Sequence, residues 1–288
     1  MRNCYQFVSC SRLTNFLWTL LIVVLCNCSP KFGCPLEEYE ALLKLRSSLL
    51  HYNNSSLPTW GRGRDCCLWE RVSCNNSTQQ VSKLMLSSLV GYDQLQDWRL
   101  NFSIFSSFHE LQQLNLSYNQ ITGSLSQIDM PELKKLEILD LGYNRLTGNI
   151  PLSFKNLSSL SVLHLEENLL NGTLNVEAIS GLRKLKILDL FYNRLSGTTL
   201  LSLRNLSSLN VLNLGANMLK GTLDMEDASG FRKLELLDLS LNDLTGTIPL
   251  SFKNLSSLSV LNLEGNMLHD ALNREGSNLL DHLQLFLS

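Results

Sequence analysis

A curved α/β solenoid, built from short coils stacked in register, is the fold class that this 288-residue sequence predicts. Two observations predict it. Seven asparagines (Asn119, Asn144, Asn168, Asn193, Asn217, Asn242 and Asn266) fall 25, 24, 25, 24, 25 and 24 residues apart, each closing the phrase Leu-x-x-Leu-x-Leu-x-x-Asn-x-(Leu/Ile). A longer period overlies this one. Ile150–Leu163 reads IPLSFKNLSSLSVL, and Ile248–Leu261 repeats it letter for letter 98 residues later. The intermediate copy LSLRNLSSLNVL at Leu201–Leu212 makes the true unit a pair of coils, 49 residues long.

Within each phrase, Leu-x-Leu has period two, so both leucines point to one side of a short strand. Parallel stacking places those leucines in one continuous core that no single coil buries alone. The asparagine lies where the chain leaves the strand. Its amide both donates and accepts, so a ladder of them is expected to satisfy backbone groups that the turn leaves unpaired. Ordinary turn asparagines would not keep so regular a beat. Period and lettering together are those of a leucine-rich-repeat solenoid, a right-handed coil with its parallel sheet on the concave side. Between Leu152–Leu170 and Leu250–Leu268 only three positions differ: His164 against Asn262, Glu167 against Gly265 and Leu169 against Met267. The scaffold is held while the strand face varies.

An open stack needs a cap over its first coil, and residues 30–78 are expected to supply it. Pro35 is placed to start a helix, with Leu36, Tyr39, Leu42, Leu43, Leu49 and Leu50 as one apolar face. Trp60 and Trp69 add bulk. Four cysteines permit three pairings; neighbours such as Cys66 and Cys67 rarely bond to each other, and we expect Cys34–Cys66 with Cys67–Cys74. A metal site is the competing reading of these cysteines, but no histidine stands at ligand spacing and no C-x-x-C occurs. The solenoid is expected over residues 79–288, as about eight repeats plus a partial last one. It opens with an irregular coil at Val81, Leu84 and Leu86, followed by a long loop from Leu89 to Glu110. Leu285 and Leu287 fall 24 residues after Leu261 and Leu263, where the next strand belongs. No capping sequence follows Ser288. The chain therefore reads as a truncated product of a longer gene, the alternative being a neighbour that covers the end.

Phe16–Cys26 is an 11-residue apolar run preceded by Arg2 and Arg12. It is short for a transmembrane helix and has the charged-then-apolar order of a secretory signal, so residues 1–29 read as a signal peptide with its end between 26 and 33. Cys4, Cys10, Cys26 and Cys28 leave with it, and the remaining even four suit an oxidising compartment. The sequons agree with a secreted, extracellular chain. Asn54, Asn76, Asn101, Asn115, Asn156, Asn171, Asn205 and Asn254 are candidate glycosylation sites, and Asn156, Asn205 and Asn254 share the 49-residue spacing. At Asn115, between Leu114 and Leu116, a glycan would obstruct the concave face. A net charge of −2 without a basic block excludes nucleic acid as an expected partner.

Residues flanking the strand leucines line the concave face. Tyr118, Tyr143 and Tyr192 form an interrupted aromatic column beside Phe191. Asp140, Asp189 and Asp238 form a carboxylate column interleaved with His164 and Asn213, with Glu166 alongside. Tyr118, Asp140, Tyr143, His164, Glu166, Asp189, Phe191, Tyr192 and Asp238 are the expected ligand-binding residues, because aromatics dominate binding hot spots and solenoids bind on concave surfaces. Asp140 and Asp189 do not suit acid–base catalysis: they lie about 10 Å apart, two inter-strand spacings, on a sheet expected to leave them solvated. No G-x-S-x-G, H-E-x-x-H or phosphate loop occurs. The chain is expected to be neither an enzyme nor the holder of a cofactor or metal.

The stretch Asp65-Cys66-Cys67-x-Trp69-x-x-Val72-x-Cys74 resembles the N-terminal cap of plant extracellular leucine-rich-repeat proteins. The extensions Leu146-Thr-Gly-Asn-Ile150-Pro151 and Leu244-Thr-Gly-Thr-Ile248-Pro249 are similar to the plant repeat consensus L-x-G-x-I-P. The resemblance covers Cys34 to about Leu268 and is greatest to plant receptor-like proteins. It implies a second, convex-side sheet, patchy where Thr198–Leu200 and Leu223–Glu226 lack Ile-Pro, and a cap in which Arg71 replaces the family's glycine before Val72. It also implies perception of a peptide, protein or pathogen-derived ligand, with signalling delegated to partner receptor kinases or co-receptors at the plasma membrane. Secreted plant inhibitors of fungal polygalacturonase, which share cap and repeats, are the alternative resemblance; a non-functional fragment is a third reading.

Overall fold

The computed structural model describes residues 33–50, 57–91, 97–128, 130, 133–197, 203, 206–223, 229–269 and 284–286. The expected signal peptide (1–29), Asn54, Asn205, Thr198–Leu200 and Leu287 lie outside them. Numbered in chain order, β1 (Val72–Cys74), β2 (Val81–Met85), β3 (Gln113–Asn115), β5 (Ile138–Asp140), β7 (Val162–His164), β9 (Ile187–Asp189), β11 (Val211–Asn213), β13 (Leu236–Asp238), β15 (Val260–Asn262) and β17 (Gln284–Phe286) form one sheet in that order. Only the β1–β2 pairing is antiparallel. From β2 onward each strand pairs in parallel with the next, placing Leu114, Leu139, Leu163, Leu188, Leu212, Leu237 and Leu261 in one buried row.

A second sheet carries β16 (Met267–Leu268), β14 (Asp243–Gly246), β12 (Met218–Thr222), β10 (Arg194–Gly197), β8 (Leu169–Gly172), β6 (Arg145–Gly148) and β4 (Thr122–Ser124) in that order. It corrects the expected patchiness: β10, β12 and β14 pair without a gap across the coils that lack Ile-Pro. The reason is that pairing uses the preceding Leu-x-Gly step, which those coils keep. Its glycine takes positive φ, 77° at Gly148 and 86° at Gly246, a region costly for residues with a Cβ.

The asparagine ladder binds coil to coil. Asn144 accepts through Oδ1 from the Asn119 and Ile121 N–H groups at 3.2 and 2.9 Å, and donates to the carbonyls of Leu116, Leu141 and Gly142. Asn168, Asn193, Asn217, Asn242 and Asn266 each accept from an N–H of the preceding coil. The first rung, Asn119, reaches the irregular coil at Leu89 and Val90.

In the cap, helix α1 (Leu36–Leu49) buries Glu38, Ala41, Leu42, Leu45 and Leu49, while Leu36 and Leu50 lie exposed. The expected apolar face is therefore rotated. Glu38 takes the place of an apolar residue because its Oε2 accepts the N–H of Val81, the first residue of β2, at 2.8 Å. Trp60 stacks on Trp69 at 5.7 Å, and their indoles donate to the carbonyls of Glu70 and Arg62. The disulfides are Cys34–Cys66 and Cys67–Cys74. Arg71 sits at φ 63°, the conformation that favours the glycine of the family pattern, and its guanidinium donates to the carbonyls of Met85 and Ser87.

The segment expected as a loop from Leu89 to Glu110 is, where described, a packed element. Trp98, Phe102, Phe105 and Phe108 are buried, Trp98 bridges to Ile121, and Phe102–Ser107 forms a 3-10 helix. Its aromatics complete the core where the coil departs from the repeat.

Candidate functional site

Strand register turns the open side of the ten-stranded sheet into rows. The first row is aliphatic: Ile138, Val162, Ile187, Val211, Leu236 and Val260 are successive partners, all half-buried. Their place just before each core leucine was a legible signal, since the residues flanking the strand leucines were expected on this face. The second row runs Asn115, Asp140, His164, Asp189, Asn213, Asp238 and Asn262. Beyond it lie Ser117, Gly142, Glu166, Phe191, Gly215 and Ser240. The last row, immediately before the ladder asparagines, holds Tyr118, Tyr143, Glu167, Tyr192, Ala216 and Leu241, all at positive φ.

In the second row, the asparagines and aspartates cap the turn that follows them. Gly142 N–H donates to Asp140 Oδ1, Phe191 N–H to Asp189 Oδ1, and Ser240 N–H to Asp238 Oδ1, at 2.8–3.0 Å. The other carboxylate oxygen accepts an amide from a neighbouring strand: Asn115 of the preceding strand to Asp140 at 2.9 Å, and, from the following strands, Asn213 to Asp189 at 3.4 Å and Asn262 to Asp238 at 3.0 Å. Asp238 lies two strands from Asp189. Asn115 spends its amide on Asp140, Ser117 N–H and Ser117 Oγ, unlike the sequon residues Asn76, Asn101, Asn156, Asn171 and Asn254, which are exposed.

His164 breaks the alternation. It stands between Asp140 and Asp189 in register, and its Nδ1 lies 3.4 Å from Glu166 Oε2. Sequence reasoning thus named four residues that do converge: Asp140, His164, Glu166 and Asp189. It was wrong to leave the two aspartates solvated. Burial raises the pKa of both, and the Glu166 charge adds to the effect. Glu166 in turn raises that of His164. Gly142 went unnoticed. A Cβ there would lie 2.5 Å from Glu166 Oε1, so this glycine provides the space into which the carboxylate folds.

The aromatic column divides in two. Tyr118 and Tyr143 stack at 4.0 Å with rings 10° apart, and the Tyr143 hydroxyl is pushed up to about 12, first by its hydrogen bond with Tyr118 and then by burial. Beyond the intervening Glu167, Phe191 and Tyr192 make a tilted pair at 6.2 Å.

Comparison with known proteins fits this geometry. Leucine-rich-repeat profiles match residues 110–129, 134–195 and 233–255, and the leucine-rich-repeat N-terminal domain matches 35–75. Cuscuta receptor 1 of Solanum lycopersicum is 36% identical over 121 residues, 40% of this chain and 10% of the relative. Receptor-like protein EIX1 of the same species is 30% identical over 167 residues, 52% of this chain and 16% of the relative. The match thus spans about a tenth to a sixth of these relatives. The Arabidopsis receptor kinase HAESA, solved with the peptide hormone IDA and the co-receptor SERK1, superposes with a TM-score of 0.74 at 29% identity, covering 88% of this chain and 41% of that one.

Proposed function

We infer that this chain, a leucine-rich-repeat protein with a plant-type N-terminal cap and related to plant receptor-like proteins, is an extracellular recognition module that binds a peptide or protein on the open face of its ten-stranded sheet. The observation that carries the reading is the ordering of that face into rows. Six half-exposed aliphatic side chains run side by side across β5 to β15, flanked by the acidic row and then by the aromatic pairs. An extended segment laid across the strands covers the aliphatic row, and the acidic row beside it favours basic residues. Tyr192, which is 58% exposed, supplies the kind of aromatic anchor that dominates binding energy. HAESA, which superposes on this chain, is solved with both a peptide and a co-receptor. Signalling here is assigned to partner receptor kinases at the plasma membrane, the arrangement that the resemblance to plant receptor-like proteins implies. Among the described residues, no helix is long and apolar enough to cross a membrane.

The test is a panel of synthetic secreted peptides titrated against the purified chain and two variants. Asp189→Lys with Tyr192→Ala should weaken any genuine binder by at least about tenfold, the usual weight of one hot-spot residue. Lys220→Glu, on the second sheet, should leave it unchanged. Binders indifferent to the first variant would refute the assignment to this face. Inhibition of polygalacturonase that is lost on Asp140→Lys would identify the secreted inhibitor in place of a receptor module.

A further inference from the structure

The second row of the open face alternates asparagine and aspartate except at one place. Each aspartate accepts an asparagine amide from one neighbouring strand, Asn115 to Asp140, Asn213 to Asp189 and Asn262 to Asp238. Between Asp140 and Asp189 the residue is His164, and Glu166 brings a third carboxylate to the same spot. The Nδ1 atom of His164 and the Oε2 atom of Glu166 are both shielded from solvent, and neither has a polar partner other than the other. They face each other at 3.4 Å. One donor atom each from His164, Glu166 and Asp189 lie within 4.8 Å of one another. Two donors about 2.1 Å from a tetrahedral zinc ion stand roughly 3.4 Å apart, which is the spacing of His164 Nδ1 and Glu166 Oε2.

We propose that His164, Glu166 and Asp189 form a binding site for a divalent zinc-type ion on the open face of the sheet. One imidazole nitrogen and two carboxylate oxygens are a ligand set that zinc accepts. The ion would offset the negative charge gathered where His164 takes the place of an asparagine, on the side of Asp189 opposite the strand that carries Asn213. Three protein ligands leave a coordination position open, and the site faces the surface across which a partner lies. Asp140, on the other side of His164, adds negative field without belonging to the donor set. Gly142 keeps room for the Glu166 carboxylate.

The molecule carries its own control. Asn262 and Glu264 occupy, 98 residues later, the places of His164 and Glu166, and Phe286 pairs with Asn262 where Asp189 pairs with His164. That copy retains one carboxylate and lacks the other two ligands. The site therefore does not depend on the peptide-binding reading; it stands or falls on its own residues.

Calorimetric titration of zinc chloride into the full chain at pH 7.5 should show one equivalent bound. Cobalt in place of zinc should give the intense visible absorption of a four-coordinate ion. His164→Asn installs the residue of the copy, so folding should survive, as circular dichroism will show; affinity should drop at least about tenfold, the lower limit seen even when a group supporting a metal ligand is removed. Glu166→Gln should do the same, and Glu264→Gln should change nothing. Absence of a stoichiometric site would overturn the proposal. So would equal binding by His164→Asn and the parent, which would mark an adventitious ion only.

Discussion

Each rung of the asparagine ladder holds two coils with one side chain. Asn193 accepts the N–H of Leu170 at 2.9 Å and donates to the carbonyls of Leu165, Leu190 and Phe191. Replacing it with alanine strands these groups in a buried turn, and we expect Asn193→Ala to cost about 1–3 kcal/mol, the penalty of an unsatisfied buried polar group. A thermal midpoint equal to that of the parent would remove the ladder from the account of stability. This role was legible because the asparagine recurs on a fixed beat. The residue before it was less so: Tyr118, Tyr143, Glu167, Tyr192, Ala216 and Leu241 all adopt left-handed backbone, at roughly 1–2 kcal/mol each for a residue with a Cβ. No common chemistry joins those six letters, so the sequence offers no cue. What they share is the turn that lets the next asparagine aim at the preceding coil. The same blindness applied to Gly142, whose importance comes from a glutamate one coil later.

Among the elements, the cap helix shows most clearly where pattern and structure part. Leucine spacing suggested a face containing Leu36 and Leu50, yet Glu38 is buried and those two are not. The cause is a single unmatched donor, the Val81 N–H at the start of β2, which only a polar side chain from the helix satisfies. Burial there lifts the Glu38 carboxyl to about 7 from an ordinary 4.5. The proton is thus held more tightly in the folded chain, so the associated stability is complete below about pH 4.5 and is lost as pH rises through 7. We expect the melting midpoint to fall between pH 5 and pH 8 by the equivalent of roughly 1–3 kcal/mol. Glu38→Gln keeps an acceptor for Val81 without a titrating group and should flatten that slope; an unchanged slope would exclude Glu38 as its origin. The aromatic turn at Phe102–Ser107 was hidden for a different reason. It packs against the helix and the first regular coils through Trp98, Phe102 and Phe105, and no repeat period announces a residue whose partners lie so far away in sequence.

At the scale of the whole molecule, the stack and its order of strands were readable almost entirely, because a core shared between neighbours forces the leucine period. The order of the acidic row was readable as well, since Asp140, His164, Asp189, Asn213 and Asp238 follow one another as the period places them. What the sequence hid is contact: the asparagine amide on each aspartate and the approach of Glu166 to His164. The doubled unit carries a further consequence. Pro151 and Pro249 are each followed by the same 12 letters, LSFKNLSSLSVL, and lead into equivalent turns, Leu152–Asn156 and Leu250–Asn254. A genetic slip that excised residues 152–249 would splice these turns without altering a junction letter. The abridged product should fold with its strands still hydrogen-bonded across the seam, which slow hydrogen exchange of the Val260 amide, donated to the preceding coil at the Glu235 carbonyl in the intact chain, would reveal; a molten product would contradict it. A gene built this way can lengthen or shorten its protein in steps of whole coils, and its catalogue of recognition surfaces can change by recombination without the fold having to be reinvented.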